Sequence, residues 1–134
     1  MWKCPKCGRL FAKKGQSHSC AVVPLEEHFE HKDAARALFD YLLARLNKEV
    51  GESQIVSLPC CIHLFGTYDW LAILPKKDGL EIRFGLPRAL KTPKLIQAVK
   101  TSTHAYKNCL AIRNEADLDD ELVGWLTEAY RASA

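Results

Sequence analysis

Apolar residues recur at three- and four-residue spacing through Ala35, Leu38, Phe39, Leu42, Leu43, Leu46 and Val50, the period of one face of an α-helix. Asp33 stands where an N-cap belongs and Gly51 stops the run, so a helix is predicted between them. A single helical turn is expected just before it, over 25–29. Past Gly51 the period changes. Short apolar or alternating runs over 54–58, 61–65, 68–74 and 80–86 read as strands. Gly66-Thr67 and Pro75-Lys76-Lys77-Asp78-Gly79 carry turn chemistry and leave no room for crossover helices, which favours an antiparallel meander. Thr92-Pro93 offers a cap followed by proline at the first helical position, predicting a short helix to about Lys100. A last strand is expected over 106–112. Leu118, Leu122, Trp125, Leu126 and Ala129 then share one helical face, behind Asp117, Asp119, Asp120 and Glu121, where the helix dipole favours negative charge.

Residues 1–23 are too short and too coreless for such an element, and their cysteines explain why. Cys4-Pro5-Lys6-Cys7-Gly8 has the Cys-x2-Cys spacing of a metal knuckle, and His18-Ser19-Cys20 follows ten residues later. Cys4, Cys7, His18 and Cys20 thus supply four donors for a tetrahedral Zn2+. A site closed by four protein ligands is structural, since catalytic zinc keeps an open position. Ligands two residues apart converge only from extended or turn-like backbone, so the 18–20 stretch is expected to be non-helical. His28 or His31 is the alternative to His18, at the cost of folding back across Pro24. Trp2, Leu10 and Phe11 would form the knuckle's small apolar cluster, with the metal providing most of its folding free energy. The expected architecture is α+β: a zinc knuckle over 1–23, then a compact α/β domain over 24–134. That domain would have a mainly antiparallel sheet of about five strands packed by three to four helices.

Composition narrows the class. The chain has 134 residues, 48% of them apolar and 26% charged, which suits one ordinary soluble core with a minor appendage. Apolar runs such as 70–74 are far too short to span a bilayer, and Lys3 interrupts any leader-like start, so no membrane association and a cytoplasmic location are expected. Three of the six cysteines sit in the knuckle pattern; Cys60, Cys61 and Cys109 lie in apolar stretches, as reduced thiols in a reducing compartment do. The net charge is +3, but residues 1–20 carry Lys3, Lys6, Arg9, Lys13 and Lys14 and no acid, which leaves −2 for the remainder. Any attraction to nucleic acid or another acidic partner therefore belongs to the knuckle.

The rest of the chain declares less chemistry. His63 alternates with Ile62 and Leu64 and reads as a satisfied or surface histidine. Cys60 and Cys61 follow Pro59 with no basic neighbour in sequence to lower a thiol pKa. Tyr68, Trp70, Arg83 and His104 form the candidate pocket for a small molecule on the sheet face; the competing reading makes the aromatics core residues and pairs Arg83 with an acid. There is no glycine-rich phosphate loop, nucleophile elbow or paired metal-binding carboxylate motif. The leading expectation is an intracellular ligand- or partner-binding module with structural zinc rather than an enzyme. A carrier or enzyme using the sheet face comes second, and weak nucleic-acid binding by the knuckle third.

The segments 1–9, 16–20 and 25–29, with the closing Asp117-Leu118-Asp119-Asp120-Glu121-Leu122, Trp125-Leu126 and Glu128-Ala129-Tyr130, resemble small bacterial proteins bearing domain of unknown function 5655. The resemblance implies a zinc-ribbon-like segment joined to a compact α/β domain, similar to small folds proposed to carry iron or bind ligands, and implies no established activity. Where that family often has more histidine and arginine before the final helix, this chain has His104-Ala105-Tyr106-Lys107-Asn108.

Overall fold

The computed structural model describes residues 2–6, 10–11, 13–15 and 22–132. Two short strands, β1 (Trp2–Lys3) and β2 (Leu10–Phe11), pair antiparallel with Trp2 opposite Phe11. Their rings lie 6.0 Å apart, so part of the expected apolar cluster is present. Cys4 follows β1 and is buried. Cys7, Arg9, His18 and Cys20 lie outside the described residues, as does the non-helical form expected at 18–20.

The main domain opens with a 3-10 turn (Leu25–Phe29) and α1 (Asp33–Glu49). It continues through β3 (Gln54–Ser57), β4 (Ile62–Phe65), β5 (Asp69–Lys76), β6 (Gly79–Leu86), β7 (Leu95–Ser102) and β8 (Ala105–Ile112). A second 3-10 turn (Glu115–Asp117) leads into α2 (Asp120–Ala132). The sheet runs β3-β4-β5-β6-β8-β7, with every neighbouring pair antiparallel. The meander therefore extends from β3 to β6. The described residues form six strands in this sheet and two α-helices, where about five strands and three to four helices were expected.

The difference comes mainly from the stretch after Thr92-Pro93, which is β7 and not a helix. Thr92 Oγ1 accepts from Lys94 N at 3.4 Å and Thr92 O accepts from Leu95 N, the local contacts of a turn. Beyond it, Leu95, Gln97, Ala98, Val99, Lys100 and Ser102 pair with β8, with Ile96 and Thr101 at the two register shifts, and this pairing plus the strand propensity of the β-branched residues outweighs the cap.

Both helices cover one face of the sheet. Ile62, Leu64, Leu71, Ile73, Ile82, Phe84, Leu110 and Ile112 join Leu38, Phe39, Leu42 and Leu46 of α1 and Leu122 and Leu126 of α2 in one buried cluster. Arg45 of α1 ties the helices together: it donates to the Leu118 carbonyl and pairs with Glu49 at 2.7 Å and Asp120 at 2.9 Å. The acids before α2 cap it as expected, Asp119 Oδ1 accepting from Leu122 N at 2.9 Å.

Because β7 lies outside β8, the chain after β6 must skip a strand. Asn108, the buried polar residue of β8, pins that crossover: Oδ1 accepts from Leu90 N at 2.8 Å and Nδ2 donates to Arg88 O at 3.1 Å. No helix among the described residues is long and apolar enough to cross a membrane.

Candidate functional site on the helix-free face

Residues directly opposite one another in antiparallel strands share a face, and the register draws one row across this sheet. Val56 lies opposite His63, His63 opposite Ala72, Ala72 opposite Arg83, and Arg83 opposite Cys109. Ile62, Ile73, Ile82 and Leu110, one position away, point into the helix-covered core, so this row occupies the other face.

A β-bulge adds an acid to it. Leu64 pairs with Leu71, but the register then shifts so that Phe65 meets Asp69 instead of Trp70. One residue out of step reverses which side chain faces which way. Trp70 turns into the main core, 5% exposed, its Nε1 donating to Ser53 Oγ at 2.9 Å and its ring edge-on to Tyr130 at 5.3 Å. Asp69 takes the helix-free face, and its Oδ2 lies 2.6 Å from His63 Nδ1.

The thiols come from the turn that joins β3 to β4. Leu58 N bonds Cys61 O at 3.0 Å, closing a tight loop over Pro59 and Cys60 and leaving Cys60 exposed at its tip. Cys61 sits two residues before His63 in extended backbone, hence on the same face, and its Sγ lies 2.9 Å from His63 Nε2. The bend at Cys60 brings its own Sγ to 2.9 Å from Cys61 Sγ. The donor atoms of Cys60, Cys61 and His63 all lie within 4.8 Å of one another. With Asp69 on Nδ1, the hydrogen on that nitrogen is held and the Nε2 lone pair is directed at the thiols.

Beside this group lies a cavity of about 380 Å³ whose walls include Cys61, His63, Asp69, Arg83, Thr101 and Lys107. Ala72 and Gly85 also line it, and their lack of bulk leaves the room. Arg83 donates from Nε to Glu81 Oε2 at 2.5 Å, which raises its pKa. Burial first, and then the Cys60 thiol, push the Cys61 thiol up to about 12, against the opposing pull of Arg83. The resting Cys61 is therefore a neutral thiol and not an activated nucleophile. A larger hollow of about 540 Å³ beside Glu52, Ser53, Gln54, Gly66 and Thr67 contains no thiol, imidazole or cation from the described residues.

Of the four pocket candidates from sequence, Trp70 and Arg83 reach the cavity, Trp70 mainly as a core residue. Tyr68, 45% exposed, sits in the β4–β5 turn. His104 is exposed in the β7–β8 turn, and neither lines this cavity. The basic residues Lys3, Lys6, Lys13 and Lys14 are exposed. Of the alternative knuckle ligands, the His31 side chain is 92% exposed, whereas His28 Nε2 is buried and makes no hydrogen bond with a described residue.

Cys60, Cys61 and His63 are not a site in the sequence reading, whereas the Tyr68-Asp69-Trp70 segment and Tyr106 belong to its candidate pocket, and Asp69 and Tyr106 do line the cavity. The Cys61-x-His63 spacing was the available signal, since alternation places both on one face; the Asp69 contact depends on a bulge that no local pattern announces. Comparison with family models, curated proteins and solved structures finds no significant match.

Proposed function

We propose that this chain is a cytoplasmic binding protein in two parts: a structural zinc knuckle formed by Cys4, Cys7, His18 and Cys20, and a 24–134 domain that holds a small anionic molecule on its helix-free face. The resemblance to domain of unknown function 5655 belongs to the same reading. The observation that carries it is the presence of Arg83 and Lys107 on one cavity floored by Ala72 and Gly85. Two cations on a hollow of this size, with the Asp69 carboxylate turned to His63 and Arg83 keeping donors beyond its Nε bond to Glu81, suit a carboxylate or phosphate ester. Calorimetric titration of the full chain with a panel of small carboxylates and phosphate esters tests it. At least one should bind, Arg83→Ala should weaken that binding about tenfold or more, and Ala72→Phe should abolish it by filling the floor. A panel with no binder, or a binder indifferent to Ala72→Phe, overturns the reading.

The exposed Lys3, Lys6, Lys13 and Lys14 favour a second role for the knuckle, docking on an acidic partner such as nucleic acid. Affinity for labelled RNA or DNA should then fall steeply with salt; no binding at low salt removes this role.

A further inference from the structure

We infer that Cys60, Cys61 and His63 form a second zinc site, distinct from the knuckle, with an exchangeable fourth position opening onto the cavity beside Arg83. The inference deepens the carrier reading, because it names what an anionic ligand would bind there, but the metal site stands without it. Three features carry it.

The first is the donor set. Two thiols and one imidazole, brought within 4.8 Å of one another by a turn and a strand, match soft-to-borderline cations and not the oxygen-seeking Mg2+ or Ca2+. Zinc–sulfur and zinc–nitrogen bonds of about 2.3 and 2.0 Å put tetrahedral ligands roughly 3.5 to 3.8 Å apart. The 2.9 Å separations seen here need to open by only about 1 Å, within the reach of side-chain rotation at an exposed turn. Three protein donors also leave one position for water or a ligand, unlike the closed knuckle.

The second feature is Asp69. A metal-bound histidine ordinarily donates its other ring N–H to a carboxylate, which fixes ring and tautomer; Asp69 Oδ2 at 2.6 Å from Nδ1 supplies that arrangement in advance. Nothing about a merely packed histidine asks a β-bulge to deliver an acid to it. The third is the surroundings. Cys61 and His63 both line the cavity that contains Arg83 and Lys107; Lys107, and the Arg83 donors beyond its Nε bond to Glu81, offset thiolate charge and attract an anion to the open position. On binding, each thiol gives up its proton to solvent as the metal–sulfur bond forms.

The test is Co2+ loading of the full chain under reducing conditions, read by thiolate-to-cobalt charge-transfer absorption and by metal content. A Cys4→Ser/Cys7→Ser chain, which keeps only His18 and Cys20 of the knuckle ligands, should still take up cobalt with a thiolate band. Cys60→Ser, a substitution at an exposed position that spares the fold, should weaken the band, and His63→Ala in the same background should abolish stoichiometric uptake. Asp69 is a positioning residue: Asp69→Asn should lower affinity about 10- to 100-fold while saturating cobalt restores the same band. Adding inorganic phosphate should shift the ligand-field spectrum if the open position meets the cavity. Cobalt bound with no response to phosphate sustains the metal ligands and removes the link between the open position and the cavity, leaving the carrier reading to its own titration. Absence of a band in the folded Cys4→Ser/Cys7→Ser chain, or a band unchanged by both Cys60→Ser and His63→Ala, overturns the inference.

Discussion

The two faces of the six-stranded sheet are built from the same strands in alternate positions, yet they do different work. On the helix-covered face, Ile62, Leu64, Leu71, Ile73, Ile82, Phe84, Leu110 and Ile112 are at most 2% exposed and carry no polar atom. On the other face the intervening positions are His63, Ala72, Arg83 and Cys109. An antiparallel sheet with one solvated face needs only polar residues there. This face instead withholds Cys61 and Cys109 from solvent, 8% and 1% exposed, and sets Cys61 beside an imidazole that an acid orients. Solubility alone gives no reason for that choice. The covered face holds the main core, whereas the helix-free face buries only a small apolar cluster at one end, Val56, Leu58 and Phe65, and leaves the positions beside it to carry chemistry.

That division is breakable by mutation. Phe84→Ala opens a cavity at a site 2% exposed and should cost about 3–5 kcal/mol, measured by denaturant unfolding. Arg83→Ala, the adjacent residue on the opposite face, should cost less, about 1 kcal/mol, mainly by leaving the Glu81 carboxylate, 14% exposed, without its cation. Equal losses would show that the helix-free face is also structural. Asn108→Ala falls between them, leaving Leu90 N and Arg88 O without the partners they have in the crossover. A buried unsatisfied group costs about 1–3 kcal/mol. Hydrogen exchange should show the 87–94 segment opening ahead of the sheet, whereas uniform loss of protection would mean that Asn108 supports the core as a whole.

The covered face was the legible one. Alternation in β4, β5, β6 and β8 and the helical periods around Leu42 and Leu122 gave elements close to those observed, because burial imposes its period directly on the sequence. β7 carries no such period, since only Leu95 and Ala98 are half-buried and its other residues are exposed, so the cap signal of Thr92-Pro93 was the stronger local cue until pairing with β8 overrode it. On the helix-free face, Trp70 and Arg83 were read as neighbours in a pocket, but the bulge after Leu64 sends Trp70 inward and Asp69 outward. A one-residue register shift leaves no compositional trace. His63 looked incidental for the same reason: its partner lies six residues away across a turn whose register had to be known first.

The smallest expected effect concerns pH and also belongs to the helix side. Lys94 Nζ, 2.7 Å away, and then Leu122 N hold the Asp119 carboxyl below the usual range; Arg88, at 2.8 Å, does the same for Glu128. A carboxyl whose folded pKa is depressed adds stability that is present above its unfolded pKa, near 4, and lost as pH falls through the folded value. Both carboxylates are about 40% exposed, 42% and 41%, so solvent screens the gain. The melting temperature should therefore fall as pH drops from about 6 to about 3, with a shallower fall in added salt. Arg88→Ala should flatten Glu128's share of that fall. Lys94→Ala should flatten Asp119's share only in part, because Leu122 N still donates to Asp119 Oδ1. An acid limb identical in wild type and both variants would place its origin elsewhere, and Glu49, whose carboxyl Arg45 also holds below the usual range, would be the next place to look.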